Sequence, residues 1–384
     1  MERRTFLRGS MAAVAAAAAS RLWLPAERLA LADETGALIE LTSRPINYES
    51  VRATFTTRIT PLERFYLRNH FDAPAVDVAT WRLRVRGLVE QPLELSLAEL
   101  ERMPQTTVEA ALQCAGNGRG LFRPRVPGVQ WKWGAMGSAH WTGVRLRDVI
   151  ARARPKAAAR HLGMQGAERP VLPQTPPFLR GLPLDKALHA DTLIALQMNG
   201  QPLAPLRGAP ARLVVPGWVA DDWMRWVSDL ELRADEQKGF WFETAYRFPQ
   251  TPGAPGAPVP PSEMRPMTTL NVKSIIGSIE PGQVLRPGTH ELVGVAFSGG
   301  AGIRQVEVST DGGRSWKAAQ LEGAASPYGF RVFRQTWRAS TPGTYRVAVR
   351  ATDGAGHEQP ESPVWNPGGY LYNAIDVVDV EVRA

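Results

Sequence analysis

Apolar and polar positions alternate with a period of two in several parts of the chain. Trp81-Arg82-Leu83-Arg84-Val85-Arg86-Gly87 puts large apolar residues on one face and arginines on the other, which predicts a half-buried strand ending in a glycine turn. Residues 96–103 open on Ser96, a good N-cap, and space their leucines for a short helix closed by Pro104. Residues 108–113 read as a strand, residues 144–153 as a second helix, and residues 211–217 as a buried strand whose end carries Arg212 to a loop. The pattern then lapses. Between residues 248 and 267 stand Pro249, Pro252, Pro255, Pro258, Pro260, Pro261 and Pro266, which predicts a stiff, extended connector. Beyond it, residues 291–297, 302–309, 330–338 and 344–351 are strand-like runs separated by turn signals such as Asp311-Gly312-Gly313. Short strands at that spacing predict an immunoglobulin-like sandwich.

With 384 residues, the chain is longer than one core usually supports. The expected fold class is α+β: a mixed α and β domain over residues 33–248, a proline-rich linker over 249–270, and the sandwich over 271–384. Residues 1–32 are set apart from this fold. Arg3-Arg4-Thr5-Phe6-Leu7-Arg8 precedes an alanine-rich run, and Ala30-Leu31-Ala32 offers a small-residue cleavage site. The paired arginines followed by Phe-Leu resemble a twin-arginine export signal, which implies a protein of the bacterial periplasm; an alanine-rich surface helix is the plainer alternative. No later apolar stretch is long enough to span a bilayer. The formal charge of +8 suits anionic ligands, but it is spread without basic runs and gives no sign of nucleic-acid binding.

The single cysteine, Cys114, excludes an intramolecular disulfide. It lies in Ala111-Leu112-Gln113-Cys114-Ala115-Gly116-Asn117-Gly118-Arg119-Gly120, where an apolar run gives way to glycines. Three accounts of this segment stand side by side: an inert small hydrophobe, a glycine-rich anion nest, or a single thiolate holding a soft metal. Arg119 would add a planar, fixed cation for an oxyanion.

Cys-Ala-Gly-Asn-x-Arg resembles the molybdenum-ligating segment of the sulfite oxidase family. The likeness continues through Tyr66-Leu67-Arg68-Asn69-His70, Trp133-Gly134-Ala135-Met136-Gly137, Trp141 to Val149, Leu182 to Leu188, Met198-Asn199-Gly200 and Val215-Pro216-Gly217. Further on, Val306 to Gly313 and Trp365-Asn366 with Asn373 are similar to the family's immunoglobulin-like dimerisation domain. The resemblance implies a sulfite-oxidase-type domain holding a molybdenum–molybdopterin cofactor, with Cys114 as the metal ligand. It implies catalytic roles for Arg68, Arg119, Tyr246 and the pocket tryptophan Trp131. It also implies cofactor contacts from Arg68, Asn69, His70, Cys114, Arg207, Arg212 and Arg225. Plainer readings compete: a surface arginine at 68, a structural histidine at 70, packed aromatics at 131 and 246. Three departures bear on substrate charge. Gly118 and Gly368 stand where the family often carries arginine, and Gln197 where glutamate is common.

By this resemblance the chain is expected to oxidise sulfite, or a related sulfur oxyanion, in the periplasm, as a homodimer joined through its C-terminal domain. One cysteine leaves no Cys-x-x-Cys-His, so no haem is expected in this chain and electrons would pass to a separate c-type cytochrome. The alternatives are a subunit resembling the sulfane dehydrogenases of thiosulfate oxidation, which act on carrier-bound sulfur, a molybdenum reductase of oxidised methionine, and a non-enzymatic binding module.

Overall fold

The computed structural model describes residues 38–384. The expected export segment, residues 1–32, lies outside the described residues. Two five-stranded sheets build the first domain. One is made of Gln105–Gln113, Met136–Arg145, Leu193–Met198 and Gln201–Pro202 in that order, with Arg212–Val214 also paired to Leu193–Met198. The other runs Leu93–Leu95, Leu83–Gly87, Val227–Arg233, His161–Gly166, Leu179–Pro183, and one of its pairings, Val227–Arg233 with Leu83–Gly87, is parallel. Leu83 and Val85 are buried and Arg84 and Arg86 exposed, as the alternation requires.

Helices are few and short. Leu97–Glu101 starts with a capping box: the Ser96 side chain accepts from Glu99 N, and the Glu99 carboxylate accepts from Ser96 N at 2.9 Å. The expected helix over 144–153 begins later than its pattern suggested. Val144 and Arg145 finish the strand Met136–Arg145, pairing with Ile194 and Leu193, and the helix is Leu146–Arg152. Sheet pairing takes precedence over helix propensity there. The α+β expectation therefore needs adjusting: sheets dominate the domain.

The proline-rich stretch is not the extended spacer that its composition predicts. Arg247–Pro249 pairs antiparallel with Met264–Pro266, and Arg247 Nη2 donates to Met264 O at 2.7 Å, so the chain leaves and returns to one place. Prolines are tolerated in this two-stranded ribbon because it has free edges.

The C-terminal unit places a four-stranded sheet (Lys273–Ile276, Gly288–Phe297, Arg331–Ala339, Gln320–Glu322) and a five-stranded sheet (Val284–Leu285, Asp376–Val382, Gly343–Asp353, Ile303–Ser309, Lys317–Ala318) around one apolar core. Val378, Val380 and Val382 enter that core while Val377 and Asp379 face out. The other face of the four-stranded sheet meets the first domain: Ile275, Val293, Val295, Phe297, Phe330 and Val332 belong to the same apolar cluster as the first domain's core. The two domains are thus continuous.

A buried ion pair fastens them. Arg52 Nη1 and Nη2 donate to the Asp376 carboxylate at 2.6 and 3.0 Å, and Nη1 also donates to Ile276 O at 2.8 Å. Both side chains are almost fully buried. Removing one partner strands the other's charge in the interior, which costs far more than losing an exposed pair. Asp376→Ala should therefore destabilise the protein by about 3–5 kcal/mol in urea unfolding. A loss below about 1 kcal/mol, the range of an exposed pair, would show that the pair does not hold the domains together.

Candidate active site

The strand Gln105–Gln113 changes character toward its end, where Ala110, Ala111, Leu112 and Gln113 are all buried. It delivers Cys114, a buried free cysteine, into a closed loop. Cys114 N donates to Ala135 O at 3.0 Å, and Cys114 O accepts from Asn117 N at 2.9 Å. Buried Asn117 locks the loop: its Nδ2 donates to Gln113 Oε1 at 3.1 Å and its Oδ1 accepts from Ala135 N at 3.1 Å. Gly118 follows at φ +91°, and a Cβ there would lie 2.5 Å from Tyr372 Cβ. A Cβ at Gly368 would lie 2.0 Å from Tyr370 Cε2. Neither position can take a side chain, so tyrosines of the C-terminal segment fill the space where the resemblance would look for further arginines.

Against Cys114 lies a cavity of about 670 Å³, a volume that includes the open solvent at its mouth. Arg68, Arg207, Arg212 and Arg225 line it; among the described residues its acidic lining is Glu168 and Asp221. The guanidiniums are held largely by uncharged acceptors. Arg207 donates to Tyr66 O and Phe65 O, each at 2.6 Å, and Arg212 Nη1 to Arg207 O at 3.1 Å. Arg225 Nη1 donates to Asn69 Oδ1 at 2.7 Å, and Arg68 Nη1 to the Asn69 carbonyl. Such bonds fix position without cancelling charge. Burial, and then the neighbouring Arg225, pushes Arg212 down to about 9 and Arg207 to about 10. Arg212 Nε is buried without a hydrogen-bond partner.

His70 stacks on Phe178, with ring centroids 4.1 Å apart, and its Nε2 is hydrogen-bonded to Tyr246 Oη. Burial, reinforced by Arg68 and Arg225, holds the imidazole well below its ordinary pKa, so His70 is neutral. Burial also pushes the Tyr246 phenol up, against the pull of Arg68, so the phenol keeps its proton. Tyr246 adopts φ +57°, a conformation costing about 1–3 kcal/mol that marks functional positions. Its ring stacks on Tyr370 at 5.4 Å.

The structure thus gathers Arg68, His70, Cys114, Arg207, Arg212, Arg225 and Tyr246 around one cavity. Three expected residues stand behind its wall. Asn69 is buried, takes Asn47 Oδ1 on its N–H at 2.9 Å, and positions Arg225. Trp131 is fully buried and packs edge-on to Tyr66 at 6.4 Å, with its indole N–H unpaired. Arg119 donates to Gly368 O at 2.9 Å and to Val129 O at 3.3 Å, and its guanidinium lies 5.2 Å from the Tyr370 ring.

Sequence reasoning missed Glu168, Arg180, Asp221, Asp222 and Tyr370. Arg180 is buried and binds Asp222 Oδ1 through Nε and Nη2 at 3.1 and 2.8 Å, while its Nη1 donates to Trp241 O. The available signal was the Asp221-Asp222 pair set between apolar Val219-Ala220 and Trp223-Met224. Adjacent acids in such surroundings are buried and need a cation.

Residues 70–241 match the family described as the oxidoreductase molybdopterin binding domain, and residues 264–383 match the Mo-co oxidoreductase dimerisation domain. Fold and site therefore define a molybdopterin-dependent oxidoreductase. The chain is 35% identical to sulfite oxidase of Gallus gallus over 347 residues, which cover 86% of this chain and 75% of that protein. It is 32% identical to sulfite oxidase of Arabidopsis thaliana over 355 residues, covering 85% and 89%. The crystal structure of the sulfane dehydrogenase SoxCD from Paracoccus pantotrophus superposes with a TM-score of 0.75 at 26% identity, covering 89% of this chain and 88% of that one. The chain belongs to the sulfite oxidase family, and the second match supports a homodimer.

The residues present fit a molybdenum–molybdopterin cofactor. A buried thiol faces the cavity as a soft metal ligand, and buried guanidiniums in excess of acids, one with an orphaned N–H, need an anion. Arg212→Met should lower bound molybdenum and pterin at least about tenfold relative to protein, as loss of a supporting metal-site residue does. In cofactor-free protein the same change should be neutral or raise the melting temperature, because it removes an uncompensated buried cation. Unchanged cofactor content, or a lower melting temperature only in the cofactor-free protein, would contradict this role.

Proposed function

We propose that this chain is a periplasmic enzyme that oxidises sulfite to sulfate and passes the electrons to a separate c-type cytochrome. In the balanced reaction, sulfite and water give sulfate, two protons and two electrons. The observation that carries the reading is Arg68: a guanidinium on the same cavity wall as Cys114, beside a phenol that keeps its proton. The cofactor, when bound, supplies the two-electron chemistry. Cys114 would hold the metal; Arg207, Arg212 and Arg225 would hold the pterin and its phosphate. Arg68 would orient the substrate oxyanion through charge-assisted hydrogen bonds. The Tyr246 hydroxyl can donate to that anion or to neutral His70, which accepts without adding charge. Arg119, anchored by Gly368 O and Val129 O, would steady Tyr370 against Tyr246.

The export reading of residues 1–32 supports the periplasmic location. The paired sheets of the C-terminal unit support an immunoglobulin-like sandwich as the dimerising part. No helix among the described residues is long and apolar enough to cross a membrane.

A second reading, a sulfane dehydrogenase acting on carrier-bound sulfur, draws on the fold shared with SoxCD and on the tyrosine-filled positions at Gly118 and Gly368. Fewer cations suit a substrate of lower charge density. Purified, molybdenum-loaded protein should reduce ferricytochrome c on addition of free sulfite. Arg68→Ala should lower kcat/KM by about 30-fold or more, as expected for removing one partner of a buried charge contact. Reduction seen only with carrier-bound sulfur would replace sulfite by the second reading, and none with either would reject both.

A further inference from the structure

Asp221 is a cavity-lining carboxylate whose counter-ion is shared with a second carboxylate. It sits in the turn Ala220–Asp222, is 7% exposed, and neither of its side-chain oxygens has a hydrogen-bond partner. The nearest cation is Arg180, reaching from the strand Leu179–Pro183, with Nη2 2.7 Å from Asp221 Oδ2 but outside hydrogen-bonding geometry. Arg180's hydrogen bonds go elsewhere, to Asp222 Oδ1 from two nitrogens and to Trp241 O. Two carboxylates thus share one guanidinium, which can neutralise only one of them. The charged and titratable groups around Asp221 are Asp222 beside it, Arg180, Arg68, and the phenols of Tyr246 and Tyr370. Arg68 is the group on which the oxyanion reading depends.

We propose that Asp221 couples oxyanion binding in this cavity to the uptake of one proton, so that a doubly charged oxyanion is held only when Asp221 is a neutral carboxylic acid. The proposal rests on the oxyanion reading of the cavity given above. The carboxylate and the incoming dianion would face each other across one cavity, where like charges at short range oppose one another. The proton comes from solvent and stays on the Asp221 carboxyl while the anion is bound; no bond to the anion forms or breaks. Protonated Asp221 becomes a donor aimed into the cavity, with a hydrogen bond available to an anionic oxygen. Burial, outweighing the pull of Arg180, already raises the Asp221 carboxyl to about 7 with no anion bound. An anion alongside raises it further. The sign follows: affinity for a dianion is full below that value and falls as pH rises above it.

Two properties make sulfate the right probe: it does not titrate near neutrality, whereas sulfite does, and it is not turned over. Sulfate is titrated calorimetrically into the molybdenum-loaded dimer, in buffers of differing ionisation heat, between about pH 6 and 9. The expected result is uptake approaching about one proton per sulfate bound above pH 7, with affinity falling toward about tenfold per pH unit. Asp221→Asn should abolish the uptake and flatten the pH dependence, and Asp221→Glu should restore both. If wild-type protein binds sulfate without proton uptake, or Asp221→Asn keeps the uptake, Asp221 does not couple the two, although the oxyanion reading stands. If sulfate does not bind at any pH in this range, the oxyanion reading fails and the coupling fails with it. Should Asp221→Asn not fold, the wild-type uptake and the Asp221→Glu titration decide alone.

Discussion

Positive charge held in a confined cavity is the constraint around which this molecule is arranged. Arg68, Arg207, Arg212 and Arg225 share one wall system with few acids near them, and most of their hydrogen bonds go to backbone carbonyls or to Asn69. Carbonyls hold a guanidinium in place but leave its charge to act on whatever enters. Burying a cation without a partner is unfavourable by several kcal/mol, so a fold that repeats the arrangement at neighbouring positions is built for an anion. His70 follows from the same field: among those arginines an imidazole stays neutral, which leaves it free to hold the Tyr246 phenol.

The second domain takes part in the site. Its segment after residue 364 lies over the cysteine loop, with Leu371 N donating to Ala115 O at 2.9 Å and Gly368 O accepting from Arg119. Tyr370 stacks on Tyr246, and Tyr372 occupies the space over Gly118. The cavity therefore depends on the packing between domains, which the Arg52–Asp376 pair and a shared apolar cluster secure. A sheet-rich frame with short helices suits this task, because strands such as Gln105–Gln113 end in the loops that carry Cys114 and its neighbours.

Much of this was legible in the sequence, and the reasons are local. Leu83 and Val85 against Arg84 and Arg86 announce a strand because period two is enforced by the pleat. Cys114 among glycines left three accounts open, and it was the resemblance to the sulfite oxidase family that singled out Cys114 and the arginines at 68, 207, 212 and 225. What failed depended on tertiary context. Arg145 reads as helix until its pairing with Leu193 is known. The prolines of 249–266 read as a spacer because sequence does not show that Arg247 meets Pro266. Arg119 and Trp131, which the resemblance assigns to the pocket, are not among the residues that line the cavity, a distinction that no motif encodes. Glu168 escaped notice because a single acid is most often a surface residue, and its burial exists only once distant strands converge.

The central claim is that Cys114 and the arginine-lined cavity together hold a molybdenum–molybdopterin cofactor. X-ray absorption at the molybdenum edge tests it most directly, by comparing the sulfur ligands of the metal in wild-type protein and in Cys114→Ser. The account predicts that the variant loses one sulfur ligand at thiolate distance while keeping the sulfurs contributed by the pterin. An identical sulfur shell in both proteins, at equal metal content, would contradict it.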